Sequence, residues 1–169
     1  MEQKIENKST LKDKLNNIYQ IHKIKIIFLS LIFGIIIMAT IFIQQKNKKN
    51  NILIAEKYVQ AGLQLTANKK ENAKNLFEEI ILSENKFYSI LSLNSIIENG
   101  LISDKKIILK YFEILQDLSY SNEKLDLITF KKALYLIKSS ERDEGEKLLK
   151  NLIKKNSQFK FLAEEVIKN

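Results

Sequence analysis

The sequence predicts an all-α protein in which an N-terminal transmembrane helix precedes a domain of antiparallel α-hairpins. One uncharged apolar run, residues 26–43, lies near the N-terminus. Pro is absent and only four Gly occur, which disfavours the tight turns of β-hairpin folds. From residue 51 onward, apolar residues recur at helical spacing in segments separated by short polar breaks. These three observations define a span followed by a helical bundle.

The apolar run begins at Ile26 and ends at Ile43, with Gly34 near its middle. A helix of about 20 residues crosses a hydrocarbon core of about 30 Å, and lysines at both ends can reach the headgroups. Ser30 and Thr40 can return their hydroxyls to the backbone of the preceding turn. The run is longer than the apolar segment of a signal peptide, and no small-residue cleavage motif follows it. An uncleaved span is therefore predicted in preference to a signal peptide or a buried core helix.

The net charge of +8 belongs mainly to the flanks of this run. Residues 1–25 carry +3, and Lys46, Lys48 and Lys49 add +3. Residues 50–169 hold 19 basic and 17 acidic side chains, which leaves only +2. Basic residues beside a span meet anionic headgroups, whereas a nucleic-acid domain carries its own basic face. We therefore expect a membrane partner and no nucleic acid.

The flanking lysines also bear on orientation. Five lysines lie before the run and four after it, counted within about 20 residues on each side. This favours a cytoplasmic head formed by residues 1–25. Residues 26–45 then form the transmembrane helix, and residues 46–169 form a helical domain on the opposite side of the membrane. The difference is one lysine, so a cytoplasmic helical domain stays open as an alternative.

The domain after the span is predicted to contain seven helices. Ser103-Asp104 and Ser121-Asn122 are cap-type helix starts, and Gly100 is the expected residue closing a helix. Links of two to five residues imply that neighbouring helices run antiparallel. The predicted helices lie near 51–68, 70–83, 86–99, 103–118, 122–139, 141–155 and 157–168.

Small and large apolar residues repeat at the same spacing in this domain. Steps of 12, 4 and 3 residues separate the members of two sets that lie 72 residues apart: Ala61, Ala73, Phe77 and Ile80, and Ala133, Gly145, Leu149 and Leu152. A middle copy, Ser95, Ile107, Tyr111 and Ile114, fits the steps but has a large residue at its second position. Small residues let the two helices of a hairpin approach closely, and large ones fill the next groove. This is the tetratricopeptide (TPR) arrangement, which predicts about three stacked hairpins.

The order of features resembles a known bacterial family. A short charged head, one span, the basic exit QQKNKKN at 44–50, and YVQAGLQLTANKKENAKNLFEEI at 58–80 are similar to the TPR-like ancillary subunits of the Sec translocon, the YfgM-like family. The resemblance implies a single-pass protein of the bacterial inner membrane with a cytoplasmic N-terminus and periplasmic repeats. It also implies association with the translocon, with periplasmic chaperones or with client chains. The family offers no catalytic residues to carry over.

The sequence lacks the parts for common catalytic sites. His22 is the single histidine and there is no Cys, so no Cys–His pair or serine triad can be assembled and no metal or cofactor site is predicted. Adjacent acids such as Glu78-Glu79 point about 100° apart on a helix, which separates the two carboxylates. We expect a non-enzymatic interaction protein. A structural scaffold subunit of another envelope complex is the alternative, and the oligomeric state is left open.

Overall fold

The computed structural model describes residues 11–118 and 120–168, and within them all regular secondary structure is helical. The all-α prediction is confirmed. Seven helices occupy these described residues: α1 Leu11–Thr66, α2 Lys70–Leu82, α3 Tyr88–Glu98, α4 Lys105–Asp117, α5 Asn122–Lys138, α6 Arg142–Lys154 and α7 Lys160–Lys168.

The first helix differs from the sequence prediction. A separate helix was expected to begin near residue 51, yet α1 runs without a break from Leu11 to Thr66. The polar segment 46–50 contains only Lys and Asn, with neither Pro nor Gly. Lys is a good helix former and Asn a tolerated one, so a change of polarity does not end the helix. Residues 1–10 of the predicted head lie outside the described residues.

The chain divides into two units, Met1–Lys49 and Asn50–Asn169. In the first unit, the Ser30 hydroxyl donates to the Ile27 carbonyl at 2.8 Å and the Thr40 hydroxyl to the Ile37 carbonyl at 2.7 Å. Both predicted backbone bonds are therefore confirmed. They satisfy the two hydroxyls inside the helix, as a lipid-facing segment requires.

The apolar part of α1 carries the predicted span residues. Among the described residues, α1 is the one helix long and apolar enough to cross a membrane, and none of its apolar stretch is buried. Ile43 is exposed, and a Cβ placed on Gly34 would have no neighbour within 4 Å. The Ile26 side chain lies outside the description. The helix thus presents apolar side chains on all sides, which is typical of a segment that meets lipid.

The second unit packs helix on helix around two apolar clusters. From α2 to α7 each helix packs against the next one in sequence, and α2 also contacts α4. The larger cluster joins the C-terminal part of α1 to α2, α3, α4 and the start of α5, and Phe77, Ile96 and Phe112 are at its centre. The smaller cluster joins α5, α6 and α7 around Leu149 and Leu152. Short antiparallel connections therefore bury one face of every helix.

Left-handed residues end five of the helices. Asn68, Glu84, Gly100, Ser140 and Asn156 have φ between 54° and 65° and follow α1, α2, α3, α5 and α6. At four of these ends the next amide donates to a carbonyl five residues back, for example Leu101 to Ile96 at 3.0 Å. This is the Schellman closure, which satisfies carbonyls left open at a helix end. The prediction that Gly100 closes a helix is confirmed.

Candidate functional site

The first predicted packing set lies between α1 and α2. Ala61 and Ala73 are completely buried, and Phe77 and Ile80 lie beside them in the larger cluster. The Tyr58 ring meets Phe77 edge to face with centroids 5.7 Å apart. Small residues on the two helices thus leave room for the large side chains one turn later.

The second set lies between α5 and α6. Ala133, Leu149 and Leu152 are fully buried. A Cβ on Gly145 would stand 2.7 Å from the Ala133 carbonyl oxygen and 2.6 Å from Cγ1 of Ile137. The two backbones therefore approach so closely that glycine is required at this position.

The middle copy is displaced by one residue from its predicted register. Ile107 is 38% exposed, so its predicted place in the packing is wrong. The buried residues that keep the steps of 12, 4 and 3 are Ile96, Ile108, Phe112 and Leu115, each at most 1% exposed. Ile107, Ile108 and Leu109 are consecutive apolar residues, so local sequence does not decide which of them faces inward.

A groove of about 170 Å³ lies between α3 and α5, with α4 beneath it. Its floor is apolar, since the buried Phe112 ring lies 6.0 Å from the ring of Tyr135 and Ile97 completes the surface. Leu134 is 37% exposed at the rim. The groove is thus an open apolar trough suited to side chains of an extended segment.

The rim of this groove is charged on its α5 side. Lys131 and Lys138 flank the trough, and neither pairs with a carboxylate in the part of the chain that the structure describes. They lie seven residues apart, which is about 10 Å along a helix. Glu98 and Asn94 line the opposite side. Two cations against one anion give the groove a net positive potential that favours acidic segments.

The α5 pattern that forms this rim is present in the sequence, although the repeat spacing does not mark it. Lys131, Leu134, Tyr135 and Lys138 follow one another at i, i+3, i+4 and i+7, so they share one face of the helix. An amphipathic face with exposed Leu between two Lys is a usable signal for a binding surface. Its partner residues on α3 and α4 depend on tertiary packing.

The paired carboxylates diverge as expected. Glu78 accepts a hydrogen bond from the Tyr111 hydroxyl at 2.6 Å, and Glu79 pairs with Lys57 at 2.6 Å. One carboxylate therefore faces α4 and its neighbour faces α1. Burial, aided by the Glu78 carboxylate, raises the pKa of Tyr111. These contacts tie three helices together and are explained by packing.

Within 11–118 and 120–168, no group of three or more His, Cys, Asp and Glu side chains could hold a metal ion. His22 lies in α1, and its side chain is outside the description. The groove between α3 and α5 is taken as the candidate site of the hairpin unit because it combines an apolar floor with a charged rim.

Comparison with known proteins adds no homologue. No protein-family model, curated protein or solved structure matches this chain. The similarity to the ancillary translocon subunits accordingly remains a prediction from the order of features and the first hairpin.

Proposed function

We propose that this chain is a membrane-anchored, non-enzymatic protein-interaction module. Its hairpins stack as TPR-like repeats, and the groove between α3 and α5 binds an extended segment of a partner protein. The observation that carries the proposal is the groove itself, an apolar trough over Phe112 whose rim carries Lys131 and Lys138, which pair with no carboxylate among the described residues. Apolar pockets give a peptide its affinity, and charges at the rim select its sequence.

The stacking rests on a spacing shared by all three hairpins. Steps of 12, 4 and 3 residues join buried residues in the hairpins α1–α2, α3–α4 and α5–α6. Contact between α2 and α4 supports the lateral arrangement, because second helices of successive repeats lie side by side in a solenoid. The first helices α3 and α5 then line a common surface, which is where the groove lies.

The membrane assignment rests on the apolar part of α1 and its basic flanks. We place residues 26–45 in the bacterial inner membrane, the head in the cytoplasm and the hairpins in the periplasm. The family resemblance favours three kinds of partner for this chain: the translocon, a periplasmic chaperone or an emerging client chain. Five lysines before the run against four after it agree with this orientation.

A reporter fused after Asn169 tests the orientation. An enzyme that is active only in the periplasm is expected to work at this position, while one that is active only in the cytoplasm stays silent. Activity of the cytoplasmic reporter would move the hairpin unit to the other side and remove every periplasmic partner from consideration.

Site-specific photocrosslinking tests the groove. The chain has no Cys, so Leu134→Cys in the full-length protein places one photoreactive thiol label at the rim. Leu82→Cys is the matched control, an exposed leucine on α2 outside the groove. In native membranes we expect adducts with translocon or chaperone components from the groove label only. Equal labelling from both positions would reject the groove as the binding site.

Charge reversal tests the rim. Lys138→Glu should reduce the groove adducts about fivefold, equivalent to roughly 1 kcal/mol for an exposed charge interaction. Lys110→Glu, at an exposed lysine of α4, should leave them unchanged. Adducts insensitive to both changes would show that the lysines do not contribute. Recovery of a fixed stoichiometric complex would instead favour the scaffold alternative.

A further inference from the structure

The C-terminal part of α1 is apolar on two opposite faces. One face packs into the hairpin unit, where Ile54 and Ala61 are buried and Tyr58 and Leu65 lie against the core. The opposite face carries Ile52, Val59 and Leu63, which are 50%, 61% and 63% exposed. A helix that is apolar on both sides is usually covered on both sides. In the described chain, no element packs over the face that carries Ile52, Val59 and Leu63.

The uncovered face is shaped for another helix. Small residues alternate with the large ones along it, and a Cβ on Gly62 would meet nothing within 4 Å. A shallow groove of about 420 Å³ runs along this face, with Ile52, Ala55 and Val59 on one wall and Tyr88 at its edge. We call Ile52, Ala55, Val59, Gly62 and Leu63 the outer face of α1.

The spacing of the outer face follows a heptad. Ile52, Ala55, Val59 and Gly62 are separated by steps of 3, 4 and 3 residues, which places Ile52 and Val59 at a and the small residues at d. Parallel two-stranded coiled coils carry β-branched residues at a together with Leu at d. The outer face of α1 keeps the β-branched residues at a but has Ala55 and Gly62 at d, and these small residues would let two backbones approach. Across such a seam Glu56 at e faces the uncharged Asn51 at g, so no like charges oppose each other.

We propose that the outer face of α1 binds the same face of a second copy of this chain, as a parallel, in-register helix pair. The inference rests on the proposed membrane anchor. Two copies inserted in one membrane with one orientation can be related by a two-fold axis along the membrane normal, which places residues 52–63 of both copies at equal height. The face then meets itself, as a two-fold interface requires.

The exposed area predicts where this pair forms. Ile52, Val59 and Leu63 offer on the order of 300 Å² per copy, against about 800 Å² per partner in a standard stable interface. Such an interface is too small to hold a dimer in dilute solution. Confinement to a membrane raises the effective concentration and restricts orientation, which favours pairing without any added contact. The pair is therefore a property of the membrane-bound chain.

Disulfide crosslinking of the full-length chain tests the pair. Val59→Cys is placed on the seam, and Leu53→Cys is the matched control, since Leu53 is 57% exposed but points about 120° away from Val59 on the same helix. Each purified variant is reconstituted in phosphatidylcholine–phosphatidylglycerol vesicles, floated on a density gradient and treated with a mild oxidant. We expect at least tenfold more covalent dimer from Val59→Cys. In dilute detergent micelles this excess should disappear.

A second variant separates pairing from chance collision. Adding Ile52→Glu to Val59→Cys sets like charges opposite each other at a and should reduce the dimer to the level of Leu53→Cys. Ile52 is half exposed, so the change leaves the core intact.

Equal amounts of covalent dimer from Val59→Cys and Leu53→Cys in floated vesicles would overturn the helix pair and leave the membrane anchor standing. Failure to float overturns the anchor and the pair together. In native membranes, an adduct of Val59→Cys with a different protein and without dimer assigns the face to that protein and rejects the second copy.

Discussion

Gly145→Ala is a direct test of the close approach between α5 and α6. The added Cβ would stand 2.7 Å from the Ala133 carbonyl oxygen and 3.2 Å from the Ile137 amide nitrogen. Both are backbone atoms, so a rotamer change cannot relieve the overlap. Helix α6 must move away from α5, which loosens Leu149 and Leu152 in the smaller cluster.

The expected magnitude follows from two opposing effects. Alanine is favoured over glycine inside a helix by about 0.8–1 kcal/mol. Overpacking a close helix contact costs about 1–3 kcal/mol, and overlap with backbone places this site in the upper half of that range. We expect a net loss of about 1–2 kcal/mol in the free energy of unfolding. Gly62→Ala, where nothing lies within 4 Å, should instead gain up to about 1 kcal/mol.

Urea unfolding of the full-length chain in detergent micelles measures both variants. The near-ultraviolet circular dichroism of the tyrosines should be followed, because five of the six lie between Tyr58 and Tyr135 in the hairpin unit. The same substitution is thus expected to have opposite signs at two helical glycines. A Gly145→Ala protein as stable as the unsubstituted chain would refute the proposed backbone contact.

Three further outcomes are expected for the hairpin unit. Glu84→Gly and Ser140→Gly relieve left-handed backbone at φ 57° and 65° and should each raise the unfolding free energy by up to about 1 kcal/mol in the same urea assay. Asp104→Ala removes the cap that accepts from the Lys106 amide at 2.8 Å and should cost about 1 kcal/mol, while Asp104→Ser retains most of it. Burial raises the pKa of Tyr120 to about 12, so the unfolded chain ionises first. The free energy of unfolding is therefore unaffected by this titration below about pH 10 and declines as the pH rises through about 12. Tyr120→Phe removes a buried hydroxyl that has no hydrogen-bond partner in the described chain, so it should raise the free energy of unfolding by about 1 kcal/mol at pH 8. The same change should flatten the decline of that free energy between pH 10 and 12. An unchanged decline would contradict the assignment of this titration to Tyr120.

The sequence determined the features that depend on neighbouring residues. Periodicity and polar breaks located the hairpin helices to within a few residues, from α2 at Lys70 to α6 at Lys154. Gly100 was identified because a left-handed helix end favours glycine. The hydroxyl bonds of Ser30 and Thr40 were predictable because both partners lie within one helical turn.

Tertiary structure decided what depends on contacts between distant residues. Ile108 rather than Ile107 faces inward because α4 packs against α3 and α5, whose Ile96 and Ile128 lie in the same apolar cluster as Ile108. The groove forms because α3 and α5 each pack against α4 and bring their side chains to one surface above Phe112, and no local pattern specifies that arrangement. The continuity of α1 through residues 46–50, and the outer face left open beyond them, also emerged only from the structure. Local propensity thus determines where helices form, whereas which of their apolar faces are covered is decided by the neighbours that fill the space beside them.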